Sequence, residues 1–385
     1  MIYFDNSATT KIDSKVLETY EQVVQTIWGN PSSLHKLGDR AFQLLESSRN
    51  QIANLLGTKP DEIFFTSGGT ESNNWAIKGT ALQKREFGKH IITSSVEHAS
   101  VANTFTTLES LGFQVTRLPV DKRGCVSVTD LRNAIDSNTT LVSVMGVNNE
   151  IGTIQPIAEI SDLLDNYPTI SFHVDNVQAL GKNIWSRVFT PRVDLFSLSG
   201  HKFHAPRGTG ILYKKRGKMI FPLHDGGGQE KGLRSGTENL PAIAGMAKAI
   251  RLLLENEVQK ANLEVTIKQR IVDYLQNKPG IKIFSQSSVD FAPHILCFAL
   301  EGIRGETLVH TLEEHDIYTS TTSACASTKS EEASTLVAMH VDDKDATSAI
   351  RLSFDETNTI EEADEFIKVF DKIYQHFAPI NHLGE

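Results

Sequence analysis

The sequence predicts an α/β protein, with a large domain built on a mostly parallel seven-stranded sheet and a smaller α+β domain after it. Three observations predict this. Short apolar runs alternate with longer helical patterns from about residue 15 to 255. Several of those runs are apolar at consecutive positions, as in Ile63-Phe64-Phe65 and Leu195-Phe196, which suits strands covered on both faces. After Glu238 the alternation gives way to a long helical stretch, followed by two strand-like pieces among helices.

The strands read in order as Glu62–Thr66, His90–Thr93, Gln114–Leu118, Leu141–Met145, Ser171–Val174, Leu195–Leu198 and Gly210–Tyr213. Helical patterns lie between them at Ala41–Leu56, Glu71–Leu82, Val101–Leu111 and Ile157–Leu164. Strand–helix alternation of this kind implies crossover connections and a parallel sheet. One long helix over Ala242–Leu275 reads as the connector between domains. Strands at Ile295–Leu300 and Ala349–Phe354, with helices at Glu306–His315 and Ile360–Tyr374, complete the smaller domain.

Composition narrows the function. The chain has 385 residues with 39% hydrophobic and 22% charged residues, which is ordinary for a globular protein. Its 38 basic and 47 acidic residues give a net charge of −9, which argues against direct nucleic-acid binding. The only cysteines, Cys125, Cys297 and Cys325, are too few to pair fully and too far apart for a zinc knuckle. A reducing, cytoplasmic setting follows. The first residues show no signal peptide, and no run is long enough to span a membrane.

In an open α/β sheet, ligands bind where strands end and helices begin. After Thr66 comes Ser67-Gly68-Gly69-Thr70-Glu71-Ser72 and then a helix, a seat for phosphate, although the same residues would also make a plain helix cap. Asp175 and Gln178 follow the strand at Ser171–Val174. An acid there suits a protonated ring nitrogen, or else caps a helix. Ser199-Gly200-His201-Lys202 follows the strand at Leu195–Leu198. A lysine in a crevice is costly unless it is used, and desolvation makes it a nucleophile for an aldehyde. The alternative is a lysine snorkelling to the surface. His98 is placed to stack on an aromatic ring or to move a proton. Together, in chain order, these groups match the demands of pyridoxal phosphate (PLP).

These segments are accompanied by Tyr3-Phe4-Asp5-Asn6-Ser7-Ala8-Thr9-Thr10, Gly29-Asn30-Pro31-Ser32-Ser33, Phe65-Thr66-Ser67-Gly68-Gly69-Thr70-Glu71-Ser72-Asn73, Glu97-His98, Val147-Asn148-Asn149-Glu150-Ile151-Gly152, Arg234-Ser235-Gly236-Thr237, Ser323-Ala324-Cys325 and Ala349-Ile350-Arg351. Over nearly its whole length the chain resembles the cysteine desulfurases, a branch of the class V aminotransferases with the fold-type I architecture of PLP enzymes. The resemblance implies Lys202 as Schiff-base lysine, Asp175 on the pyridine nitrogen, Gln178 on the ring hydroxyl and His98 stacked on the ring. It implies Gly69, Thr70, Ser199 and His201 around the phosphate, with Thr237 reaching it from the second subunit of a homodimer. Asn149 and Arg351 would hold the carboxylate of L-cysteine, and Cys325 would accept its sulfur as a persulfide. The large domain would span 15–255, and the small one 1–14 and 256–385, including the cysteine loop.

The residues support this chemistry independently. Arg351 offers a planar fork for a carboxylate. Cys325 lies in a small, polar, loop-like stretch, Tyr318 to Ser330, whereas Cys297 lies in an apolar strand and reads as inert core. Cys125 follows Gly124 in a turn and has no assigned role.

About 26 positions separate Cys325 from Arg351, as in the long-loop group of the family. The family's usual glycine before Ser-Ala-Cys is Thr322 here, a stiffer, β-branched residue. The short stretch after the last helix suggests that the sulfur acceptor is a tRNA- or thiamine-thiolating protein rather than an iron–sulfur scaffold. Rival readings are a selenocysteine lyase or another class V aminotransferase or lyase, and a non-catalytic sulfur relay. A metal site at His201 and His204 lacks an acidic ligand nearby, and no metal is expected.

Overall fold

The computed structural model describes residues 1–322 and 335–377. Its main sheet has seven strands in the order Ile63–Thr66, Gly210–Lys214, Leu195–Ser199, Ser171–Asp175, Thr139–Met145, His90–Ser94, Gln114–Leu118. The last five pair in parallel. Gly210–Lys214 runs antiparallel to both neighbours. The consecutive apolar residues explain the burial. Ile91 and Leu141 pack with Phe105 and Val101 on one face. Ile92 and Val142, one position on, join Phe172, Ile52 and Leu164 in the largest core, on the other. Each large side chain so buried contributes about 1.5–3 kcal/mol.

A second, four-stranded antiparallel sheet has the order Ser320–Thr321, Ala349–Ser353, Ile295–Leu300, Ile281–Ile283. Phe298 and Ile350 pack there against Ile267 and Ile271 of the helix Glu257–Leu275 and Phe366 and Phe370 of Ile360–Phe377. The chain's first strand, Ile2–Tyr3, pairs in parallel with Ile317–Tyr318, and Phe4 packs edge-on to Phe354 at 5.0 Å. The N-terminal segment then crosses to the large sheet, where Thr10 N–H donates to His201 O at 2.8 Å.

The sequence reading needs correction at the connector. Ala242–Leu275 is not one helix but two, Leu240–Leu254 and Glu257–Leu275. Asn256 between them is left-handed (φ 57°), a conformation that asparagine tolerates better than most residues. The ammonium of Lys260 folds back onto the last carbonyls of the first helix, Leu252 O at 2.6 Å and Leu253 O at 3.1 Å, and satisfies them. Hydrophobic spacing continues across the break, so periodicity alone does not show it.

Candidate active site

The helix Gly69–Lys84 begins directly after the first strand of the large sheet, with Gly68 as its cap and Thr70 as its second residue. Gly69 is required by close approach. A Cβ on Gly69 would lie 2.8 Å from Val177 Cγ2. One on either Gly68 or Gly69 would lie 3.7 Å from Ser199 Oγ, so that hydroxyl overhangs the turn. Helix N-terminus, bare backbone and hydroxyl together form an anion cradle.

Glu71 ties this turn to a distant loop. Its carboxylate accepts from Ser67 N–H at 3.1 Å, from the Ser67 hydroxyl, and from Arg234 Nε at 2.8 Å. Burial works against the charge, but Arg234 and Ser67 outweigh it and hold the carboxyl below its usual range. The same loop is pinned by Glu230, which takes both arms of Arg49 (2.8 and 2.9 Å) and Phe65 N–H (3.1 Å). Thr237, three residues past Arg234, is exposed.

Asp175 is the last residue of its strand. Its buried carboxylate accepts from Asn73 Nδ2 at 2.7 Å and Val177 N–H at 3.0 Å. Burial pushes the carboxyl up, while His98, these two donors and Lys202 pull it back. The second hydrogen of the Asn73 amide goes to Ser100 Oγ at 2.9 Å. That oxygen lies 2.8 Å from His98 Nδ1, which also accepts from Ser100 N–H at 3.1 Å. An accepting Nδ1 places the proton of the neutral ring on Nε2. Glu97 lies behind. It accepts from Ser94 Oγ at 2.6 Å and Met145 N–H at 3.0 Å, and burial raises its carboxyl to about 8.

Lys202 Nζ donates to Ser7 O at 2.5 Å and Ala8 O at 2.9 Å. Gln178 Nε2 donates to the same Ser7 carbonyl at 3.1 Å, and its oxygen faces His294 Nε2 at 3.4 Å. His201 is held near pH 4 by burial, with the Lys202 and Arg207 charges adding to it, so its ring is neutral at pH 7. Its Nδ1 faces Thr9 Oγ1 at 3.2 Å.

Arg351, central in the small sheet, reaches across to this group. Nη1 donates to the backbone oxygen of Asn149 and Nη2 to Asp5 Oδ1, both at 2.9 Å. The loop bearing Asn149 also grips Thr335. Asn148 Nδ2 donates to Thr335 Oγ1, and Glu150 Oε2 accepts from Thr335 N–H, both at 2.9 Å. On the other side, Ser320 is in register with Arg351. Cys325 lies outside the described residues, but the chain on either side of it is tied next to Arg351 and Asn149.

Gly69, Thr70, Ser199, His201, Lys202, His98, Asp175 and Gln178 therefore gather at one end of the large sheet, and Arg351 and Asn149 meet beside them. The sequence assigned no role to Asn73, Ser100, Asp5, Ser7 or Glu150. Asn73, Asp5, Ser7 and Glu150 lie inside the quoted segments, but their partners lie far away in the chain. Among the described residues, no three histidine, cysteine or acidic side chains gather to hold a metal, and no helix is long and apolar enough to cross a membrane. The donor set fits PLP: an anion cradle at a helix N-terminus, a buried carboxylate that accepts only two hydrogen bonds among the described residues, and a lysine at the end of a neighbouring strand.

Comparison with known proteins agrees. The sequence model described as aminotransferase class-V matches residues 2–366. A protein named NifS/IcsS protein homolog from Lactobacillus delbrueckii subsp. bulgaricus is 75% identical over 385 residues, all of both chains. A cysteine desulfurase IscS from Methanosarcina thermophila is 42% identical over 383 residues, covering 99% of this chain and 94% of that one. A solved structure titled NIFS-like protein superposes with a TM-score of 0.90 at 39% identity, covering 97% of this chain and 99% of the other.

Proposed function

The chain belongs to the class V aminotransferase family, whose members carry PLP, and we infer that it is a cysteine desulfurase converting L-cysteine to L-alanine with the sulfur taken up by Cys325. The observation that carries the choice within the family is the anchoring of Ser320 and Thr335 beside Arg351 and Asn149. Ser320 and Thr335, which flank Cys325 in the sequence, are thus fixed beside the place where a substrate carboxylate would be held.

PLP would be held through its phosphate by Gly69, Thr70, Ser199 and His201, through its ring nitrogen by Asp175 and through its ring hydroxyl by Gln178, under His98. When bound, it supplies an aldehyde for amines and an electron sink for the bonds at the substrate's Cα. Lys202 would be the amine that carries it. As a free amine beside the substrate, Lys202 would move the Cα proton. Arg351 and Asn149 orient the carboxylate. The Cys325 thiolate attacks the substrate sulfur; an S–S bond forms, the Cβ–S bond breaks, and its electron pair takes up a proton at Cβ to give alanine.

The persulfide then passes to an acceptor protein of tRNA thiolation, thiamine or iron–sulfur assembly. The working unit is a homodimer in which Thr237 of each copy serves the other's phosphate. Its exposure, and the exposed Trp28, Leu34 and Phe42, support that reading. A reducing cytoplasmic setting suits a chain whose chemistry needs a free thiolate.

The test is direct. Purified protein loaded with PLP is given L-cysteine and a reductant, and alanine and sulfide are assayed beside Cys325→Ala and Lys202→Ala. Equal amounts of both products, lost in both variants, are expected. A PLP-loaded wild type that releases no sulfide, or Cys325→Ala releasing it unchanged, would transfer the reading to an aminotransferase or lyase.

A further inference from the structure

Among the described residues, the guanidinium of Arg351 is held through its two Nη groups. Nη1 is fixed by Asn149 O and Nη2 by Asp5 Oδ1. Nε is buried and has no partner among the described residues. A buried, unpaired N–H on a cation is costly, and it marks where an acceptor is expected. Nε and the neighbouring Nη2–H form the side-on fork with which arginine grips a carboxylate bidentately.

Asp5 comes from the other end of the chain, 346 positions before Arg351. Its backbone bridges Ser353, two residues beyond Arg351, and the side chains of Arg351 and Asp5 are 9% and 16% exposed. The next residues go to the lysine. The carbonyls of Ser7 and Ala8 accept from Lys202, and Ser7 O also accepts from Gln178. One short segment thus grips the carboxylate-binding arginine with a side chain and the reactive lysine with its backbone.

We propose that Asp5 is a positioning residue for substrate: it clamps the far end of Arg351 so that Nε and the inner Nη2–H stay turned to the α-carboxylate of the amino acid. This rests on the reading of Arg351 as the carboxylate site. Two consequences of removing Asp5 oppose each other. Loss of the clamp lets the guanidinium drift, which weakens binding. Loss of a nearby negative charge strengthens attraction to another carboxylate. Asp5→Asn separates them, because its amide oxygen still accepts from Nη2 but carries no charge.

The experiment measures kcat and KM for L-cysteine, and the dissociation constants of L-alanine and of cysteamine, which lacks the carboxylate, in PLP-loaded wild type, Asp5→Ala, Asp5→Asn and Arg351→Ala. Asp5→Ala is expected to raise KM for L-cysteine and Kd for L-alanine about tenfold, the loss of one charge-assisted hydrogen bond. Its kcat and its cysteamine binding stay near wild type, and Asp5→Asn restores KM. Unchanged or lowered KM in Asp5→Ala would overturn the proposal, as would a fall in kcat and melting temperature with no change in KM. If Arg351→Ala weakens L-alanine and cysteamine equally, the carboxylate reading itself fails. If it weakens only L-alanine while Asp5→Ala leaves it unchanged, the role of Asp5 alone is refuted.

Discussion

Asn73 and Asp175 are 102 positions apart in sequence and meet amide to carboxylate at 2.7 Å at the base of the active site. The same amide reaches Ser100, and through that hydroxyl the Nδ1 of His98. The acid assigned to the cofactor's ring nitrogen and the histidine assigned to its face are therefore oriented by one asparagine. Asn73→Leu should leave Asp175 short of a donor in a buried place, pushing its carboxyl further up and weakening its claim on a protonated nitrogen. Loss of a hydrogen bond to a charged group is worth about 1.5–3 kcal/mol, so cofactor affinity should fall at least about tenfold. Equilibrium dialysis against PLP measures it. Ser100→Ala, which leaves the Asp175 bond intact, should retain cofactor better than Asn73→Leu.

The loop that carries Thr237 depends on a buried ion pair. Arg49 and Glu230 have side chains only 6% and 2% exposed, and Phe65 N–H completes the carboxylate's partners. Removing one partner of such a pair leaves the other uncompensated, at a cost of about 3–5 kcal/mol. Arg49→Met should lower the melting temperature sharply, and the paired change Arg49→Met with Glu230→Leu should recover much of the loss. A double-mutant cycle by denaturant unfolding decides this. Near-equal stability of the single variant and wild type would mean that the pair contributes little.

What the sequence made legible and what it hid have a common physical reason. Six of the seven strands of the main sheet are fully or nearly covered, so their residues had to be largely apolar in runs, and runs are visible; only the edge strand Gln114–Leu118 is partly exposed. Lys202 and Asp175 were legible because a strand end in an α/β sheet is a place with chemical meaning. Asp5, Asn73 and Glu150 look like ordinary polar residues until the chain is folded, since their partners are Arg351, Asp175 and Thr335. The break at Asn256 was hidden for the opposite reason: the hydrophobic pattern on both sides is helical, and the turn rests on one residue's tolerance of positive φ.

That tolerance can be measured. Asn256 has φ 57°, where a Cβ crowds the backbone. Asn256→Gly should be neutral or slightly stabilising, and Asn256→Val should cost more than about 1 kcal/mol because a β-branched residue resists this region most. Chemical denaturation of the two variants gives the difference. Equal stabilities would imply that the two helices can merge across residues 255 and 256.

A pH dependence should arise two residues from Lys202. His204 Nδ1 faces Lys11 O at 2.9 Å, which requires a proton there. Nε2 faces Asp355 Oδ2 at 3.4 Å and Glu356 Oε2 at 3.5 Å, so both nitrogens are placed to donate, which favours the protonated ring. Burial opposes this, but Glu356 and Asp355 prevail, and the His204 pKa is raised above 6.5. In return, and again against burial, His204 holds Glu356 down to about 2. For a histidine whose folded pKa is raised, the added stability is fully present below 6.5 and is lost as pH rises through the folded value. For Glu356 it is present above 4.5 and lost as pH falls towards about 2. The contact joins the lysine loop to the turn after the Arg351 strand, so its loss should loosen one half of the site from the other. Melting temperatures of wild type and His204→Gln should differ most below pH 6.5 and converge as pH rises through the raised His204 value. A difference that is constant across that range would show that His204 acts through packing and not through its charge.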